Sequence, residues 1–124
     1  PCAATGTIRR HPDVAWLKQE SDIGALAAVQ KRMLQKAVTP LRPPGTLVYC
    51  TCSLDPEEGE QAIASILASE PGLRRAPVSR DEVAGLDEII TLDGDVRTLP
   101  SHLAHSDSRL GGLDGFFASR LIKS

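Results

Sequence analysis

Aromatic side chains are nearly missing: Trp16, Tyr49, Phe116 and Phe117 are the only four in 124 residues. That excludes a stacking platform of the kind single-strand binders build from successive aromatics. An excess of one charge is missing too. Fourteen basic and sixteen acidic side chains leave a net charge of −2, so a broad basic surface for nucleic acid is excluded and any such contact is local. No apolar run approaches the roughly 20 residues that cross a bilayer; the longest is Thr46-Leu47-Val48-Tyr49-Cys50. No basic-then-apolar secretory leader opens the chain, so no membrane partner is expected. Three cysteines without such a leader point to free thiols in a reducing compartment, and the expected location is cytoplasmic. The chain opens on Pro1 rather than Met, which reads as processing or as a piece of a longer protein. Neither a Gly-Lys-Ser/Thr phosphate loop nor a Gly-x-Gly-x-x-Gly dinucleotide loop occurs.

What remains is the composition of a single globular domain, with 41% hydrophobic and 24% charged residues. Pro1 to Asp13 sustains no period and reads as a loop. From Ser21 to Thr39, Ile23, Leu26, Ala27, Met33, Leu34, Ala37 and Val38 mark one helical face, interrupted by Gln30. Ser21 or Asp22 fits the N-cap, and Pro40 with Pro43-Pro44-Gly45 ends the helix. Thr46–Cys50 is apolar on both faces, as in a strand buried mid-sheet. Asp55-Pro56-Glu57-Glu58 has the cap, the first-turn proline and the acidic third position of a new helix. Ala62, Ile63, Ile66 and Leu67 supply its buried stripe. Helix, strand, helix is the alternation of an α/β domain with a parallel sheet. Glu88–Arg97 reads as a strand ending in an Asp-Gly turn, 98–110 as an exposed loop, and Phe116–Ile122 as a closing strand. Two strands with no helix between them imply an antiparallel edge.

The sharpest local feature is Cys50-Thr51-Cys52-Ser53. Ligand crevices in open α/β sheets lie beyond the carboxyl ends of strands, and Cys52 sits there. A helix N-terminus just downstream favours a thiolate, while Asp55, Glu57 and Glu58 oppose one. Cys52 is therefore either a nucleophile or a small buried residue at a strand end, and Cys50 reads as core. Cys2, among the small residues Ala3, Ala4 and Gly6, is a second candidate. The Gly6 loop, read as a phosphate cradle, lacks the Gly-Lys-Ser/Thr ending. A metal site from Cys2, Cys50, Cys52 and one of His11, His102 or His105 lacks the spacing of structural zinc sites, so no metal is expected. Arg9 and Arg10 either grip phosphates or open a solvated turn.

Taken together, these motifs resemble a known family. Pro1-Cys2-Ala3-Ala4-Thr5-Gly6-Thr7-Ile8-Arg9-Arg10-His11-Pro12-Asp13 resembles the Pro-Cys motif of the RsmB (Sun-type) RNA cytosine-C5 methyltransferases. Gly45 to Glu58, with Thr51-Cys52-Ser53 at its centre, resembles their Thr-Cys motif, and Asp114–Leu121 is similar to their final strand. The resemblance spans the chain and implies that residues 1–124 are the carboxy-terminal half of a Rossmann-like methyltransferase domain, an α/β sheet with an antiparallel edge. It implies that Cys52 adds to C6 of the target cytosine, and that Cys2 serves loss of the C5 proton and release of the covalent adduct. It also implies S-adenosylmethionine as methyl donor, ribosomal RNA as substrate, and substrate contacts from Arg9 and Arg10. Three departures stand out. The family's Asp-Ala before Pro1 is absent, Ala3 replaces a common Ser, and the donor's glycine-rich loop lies upstream in the family. The implied partner is therefore the missing amino-terminal half of the same protein, without which the chain is expected to be inactive and to expose an unpaired apolar strand edge. The alternative is a non-catalytic RNA-binding or assembly module.

Overall fold

The computed structural model describes residues 1–124. A short helix, α1 (Val14–Leu17), leads into α2 (Glu20–Val38), followed by β1 (Thr46–Thr51), α3 (Glu60–Ser69), β2 (Leu73–Arg75), β3 (Val96–Thr98) and β4 (Phe116–Lys123). No helix is long and apolar enough to cross a membrane.

The antiparallel strand lies at the centre of this sheet. β4 runs between β1 and β2, antiparallel to both, so β1 and β2 point the same way without touching. β3 continues the β2 side of β4: Leu73–Arg75 pair with Lys123–Leu121, and Val96–Thr98 pair with Ala118–Phe116. Residues 77–95 are thus an excursion from what would otherwise be one strand. The buried Asp95 closes that break by accepting the Ser119 hydroxyl at 2.6 Å and Arg75 Nε at 3.1 Å.

Period-2 alternation turns Phe117, Ser119 and Leu121 of β4 inward, in register with Thr51, Tyr49 and Leu47 of β1. Leu34 and Val38 of α2 and Ile63 and Ile66 of α3 cover that face, completing a core with Leu73, Phe117 and Leu121. The opposite face of β1 is uncovered within the chain, and Val48 is 61% exposed. β1 is therefore an edge strand with one bare face here, where its doubly apolar sequence suggests burial on both. Cys50 shares that bare face and is exposed, which corrects its assignment to the core.

Three boundaries also differ from the sequence reading. α2 starts at Glu20 with Gln19 at its cap, so neither Ser21 nor Asp22 caps it; Asp22 sits in the first turn and accepts the Gln19 N–H at 2.9 Å. Pro56–Glu58 forms only a 3₁₀ turn, and Gly59 (φ −117°, ψ −100°) separates it from α3, which begins at Glu60. Asp55 and Glu58 are thereby freed from capping. In 88–97 the strand follows the Asp93-Gly94 turn: Gly94 takes φ 80°, Ile90 bridges Val96, and β3 starts there. The 98–110 loop and the closing strand lie where the sequence suggests.

Candidate active site

Cys52 occupies the turn that leaves β1. Its neighbour Ser53 is fully buried, and the Ser53 hydroxyl accepts the Asp55 N–H at 3.0 Å while donating to Asp55 Oδ2 at 2.9 Å. Arg97 braces the turn from inside. Its Nη1 donates to the Ser53 carbonyl at 2.7 Å, its Nε and Nη2 bind the Glu60 carboxylate at 3.0 and 2.7 Å, and its guanidinium lies 4.9 Å over the Phe117 ring. A planar fork fits this combined carboxylate, carbonyl and ring contact, which an ammonium could not reproduce.

The amino-terminal loop is laid against this turn by a close backbone approach. The Gly6 N–H donates to the Cys52 carbonyl at 2.9 Å, and the Gly115 N–H donates to the Gly6 carbonyl at 2.7 Å. A Cβ on Gly6 would stand 1.8 Å from the Gly115 oxygen and 2.6 Å from the Cys52 oxygen, so only glycine fits. Gly6 thus brings together the Pro-Cys loop, the Thr-Cys turn and the approach to β4. Thr5 adds side-chain ties: its hydroxyl donates to Asp55 Oδ2 at 2.7 Å and accepts the Leu54 N–H at 2.9 Å. Ala4 takes a left-handed φ of 57°, which a residue with a Cβ seldom adopts.

On the other flank, the fully buried Glu58 accepts the Ala3 N–H at 3.0 and 3.2 Å. Gln30 donates to Glu58 at 2.8 Å and to the Pro1 carbonyl at 2.5 Å. Between these anchors, Cys2 Sγ lies 3.0 Å from Cys52 Sγ, across fifty residues of chain.

The thiols share one hydrogen bond and titrate as a unit. Burial alone would raise Cys2, but hydrogen bonds from the Cys52 thiol, the Ala4 backbone and Thr51 bring it below its ordinary value. Burial, the hydrogen bond to Cys2 and the Cys2 charge push Cys52 up to about 11. The two shifts thus run in opposite directions across the one thiol–thiol contact. Tyr49, beneath the pair, is raised to about 12 by burial and by the nearby Glu58 charge.

Beside the pair opens a groove of about 460 Å³, lined by Met33, Leu34 and Ala37 of α2, the length of β1, and Phe116. No charged side chain lines it. Arg9 and Arg10 lie on the far side of the Pro-Cys loop: Arg9 donates to the Gly111 carbonyl at 3.0 Å, and Arg10 Nε donates to Asp114 at 2.7 Å, leaving Arg10 59% exposed. His102 and His105 each accept a backbone N–H within their own loop.

Cys2 and Cys52 were both visible in the sequence. Gln30, Glu58 and Arg97 were not singled out as site residues. Gln30 carried a signal, as the polar break in an apolar helical stripe; Glu58 and Arg97 carried none that separates them from surface charges.

The family model for the 16S rRNA methyltransferase RsmB/F matches residues 1–122. Ribosomal RNA small subunit methyltransferase B of Klebsiella pneumoniae subsp. pneumoniae is 38% identical over 126 residues, spanning 99% of this chain and 24% of its own. The crystal structure of PH0851 superposes with a TM-score of 0.79 at 28% identity, over 99% of this chain and 25% of that one. NSun6 from Pyrococcus horikoshii with SFG gives 0.72 at 26% identity, over 99% and 28%. The chain thus spans about a quarter of the length of these relatives. Its small sheet and covering helices are a segment of a Rossmann-like methyltransferase fold. From both cysteine motifs, the fold that joins them and a match running almost end to end, the chain belongs to the 16S rRNA methyltransferase RsmB/F family.

Proposed function

We propose that this chain carries the thiol chemistry of an RNA cytosine-C5 methyltransferase acting on ribosomal RNA. The observation that supports it most is the 3.0 Å contact between Cys2 Sγ and Cys52 Sγ at the carboxyl end of β1. In this reading Cys52 gives up its proton to solvent, and the Cys52 thiolate adds to C6 of cytosine. The S–C6 bond forms, the C5–C6 π electrons move toward C5, and C5 becomes nucleophilic. Once C5 bears its methyl group, Cys2, having released its proton to solvent, takes the C5 proton. The C5–C6 double bond re-forms and expels Cys52 as thiolate. A base stacked in a helix cannot meet Cys52, so the target cytosine is unstacked or single-stranded.

S-adenosylmethionine is the donor in this reading, supported by the family and by a structural neighbour solved with its analogue SFG. The groove beside the pair does not fit the whole of that molecule, because no charged side chain in its lining meets the amino-acid charges. Those partners come from the additional length that the relatives possess, and residues 1–124 alone are inactive. Arg9 and Arg10, both exposed, contact RNA phosphates in this reading.

The test uses the whole protein and a small-subunit RNA transcript containing 5-fluorocytosine, whose C5 substituent cannot leave as a proton. A denaturation-resistant protein–RNA complex is expected, lost in Cys52→Ala and retained in Cys2→Ala. A complex that survives Cys52→Ala overturns the assignment.

A further inference from the structure

We infer that Glu58, acting with Gln30, is a positioning residue that fixes the Cys2 backbone for the adduct-release step; this rests on the cysteine chemistry proposed above. Glu58 is fully buried, yet no arginine or lysine pairs with it. A buried carboxylate without a counter-ion is costly, and a leucine would fill the space without that cost. Its hydrogen bonds show what the carboxylate is held for. Both oxygens accept the Ala3 N–H, at 3.0 and 3.2 Å, and Oε1 also accepts Gln30 Nε2 at 2.8 Å. The same Gln30 nitrogen donates to the Pro1 carbonyl at 2.5 Å.

Those two backbone groups belong to the peptides on either side of Cys2. One carboxylate and one carboxamide therefore pin the residue before and the residue after the thiol, which fixes the direction in which its side chain leaves the backbone. Tyr49 completes the brace by donating to the Glu58 carbonyl at 2.5 Å, with Gln30 Oε1 at 3.4 Å.

Cys52 is held by different means. Its turn is secured by Ser53, Asp55, Arg97 and Gly6, none of which bonds to the Glu58 side chain. The negative charge of Glu58 also works slightly against ionisation of Cys52. Loss of the carboxylate's hydrogen bonds should accordingly leave formation of the S–C6 bond in place and impair the step that needs Cys2. Uniform loss of structure would impair both.

The experiment uses the whole protein, S-adenosylmethionine and a small-subunit RNA transcript with unmodified cytosine, following covalent protein–RNA complex and methylated product over time. In Glu58→Leu and, separately, Gln30→Ala, the covalent complex is expected to accumulate and its release to slow by up to about a hundredfold, the scale of a group misplaced by about 1 Å. Gln30→Ala keeps the inference falsifiable should Glu58→Leu fold poorly, because it removes the Pro1 tie and leaves the Glu58–Ala3 bond. Release at the wild-type rate in a folded variant overturns the inference. So does a parallel fall in formation and release, which marks a structural role only. A wild-type protein that forms no covalent complex, even with 5-fluorocytosine RNA, overturns the underlying cysteine chemistry instead.

Discussion

The same substitution, glycine to alanine, should have opposite effects at two positions of this chain. Gly6 lies where three segments touch. To reach the ordinary contact range that begins at 3.4 Å, a Cβ now 1.8 Å from the Gly115 oxygen needs about 1.6 Å more room. Both neighbours are backbone atoms, so no side chain can swing aside to provide it. The segments must part, breaking or stretching the Gly6–Cys52 and Gly115–Gly6 hydrogen bonds. Each such bond contributes about 0.5–1.5 kcal/mol net, and forced overpacking costs about 1–3 kcal/mol. Gly6→Ala should then destabilise by about 2–6 kcal/mol, a large share of a typical domain's stability of about 5–15 kcal/mol. Gly24 lies within α2, exposed, and a Cβ there meets nothing within 4 Å. Gly24→Ala should stabilise by about 0.5–1 kcal/mol, because alanine loses less backbone freedom in a helix. Urea unfolding of the whole protein gives the two signs, and hydrogen exchange at the Gly6 and Gly115 amides localises the damage. A Gly6→Ala protein with an unchanged urea midpoint and protected Gly115 amide would refute the reasoning.

Three further outcomes follow from the geometry. Mass-mapped alkylation should find Cys2 reacting below the ordinary thiol range and Cys52 resisting until near pH 11; Cys2→Ala should lower the pH at which Cys52 reacts, since its hydrogen-bond partner and charge are gone. Glu82 is held at about 2 by hydrogen bonds from Arg120 and from Ser79. Its folded value lies below the unfolded one, so its contribution to stability is complete above about pH 4.5 and is lost as pH falls through about 2; in Arg120→Gln an NMR titration should show the carboxyl moving up toward 4.5. Phe117→Ala empties a fully buried position and removes the ring beneath Arg97, and chemical denaturation should read a loss of about 3–5 kcal/mol.

Much of the local structure was legible in the chain itself. Apolar spacing from Ile23 to Val38 placed α2 within a residue at either end, and the turn cluster at Gly111–Gly115 placed the start of β4. Both are governed by periodicity and by residues that forbid continuation, which are properties of neighbours in sequence. The two cysteine motifs and the family they resemble were equally open to reading, since each is a short continuous run.

What neighbours in sequence could not determine was decided by packing. Asp55 and Glu58 had the pattern of helix caps, but a capping residue is only a carboxylate near free N–H groups, and in the fold better-placed donors come from Thr5, Ser53, Ala3 and Gln30. Cys50 and Cys52 differ by two residues and are alike in local sequence. Only Cys52, beyond the end of β1, meets Cys2, because the contact depends on a glycine at position 6 approaching a carbonyl forty-six residues away. The position of β4 at the sheet centre, and the bare face it leaves on β1, likewise arise from pairing between distant strands. Sequence determines which residue types are available to the site; long-range hydrogen bonds and steric fit determine which of them meet.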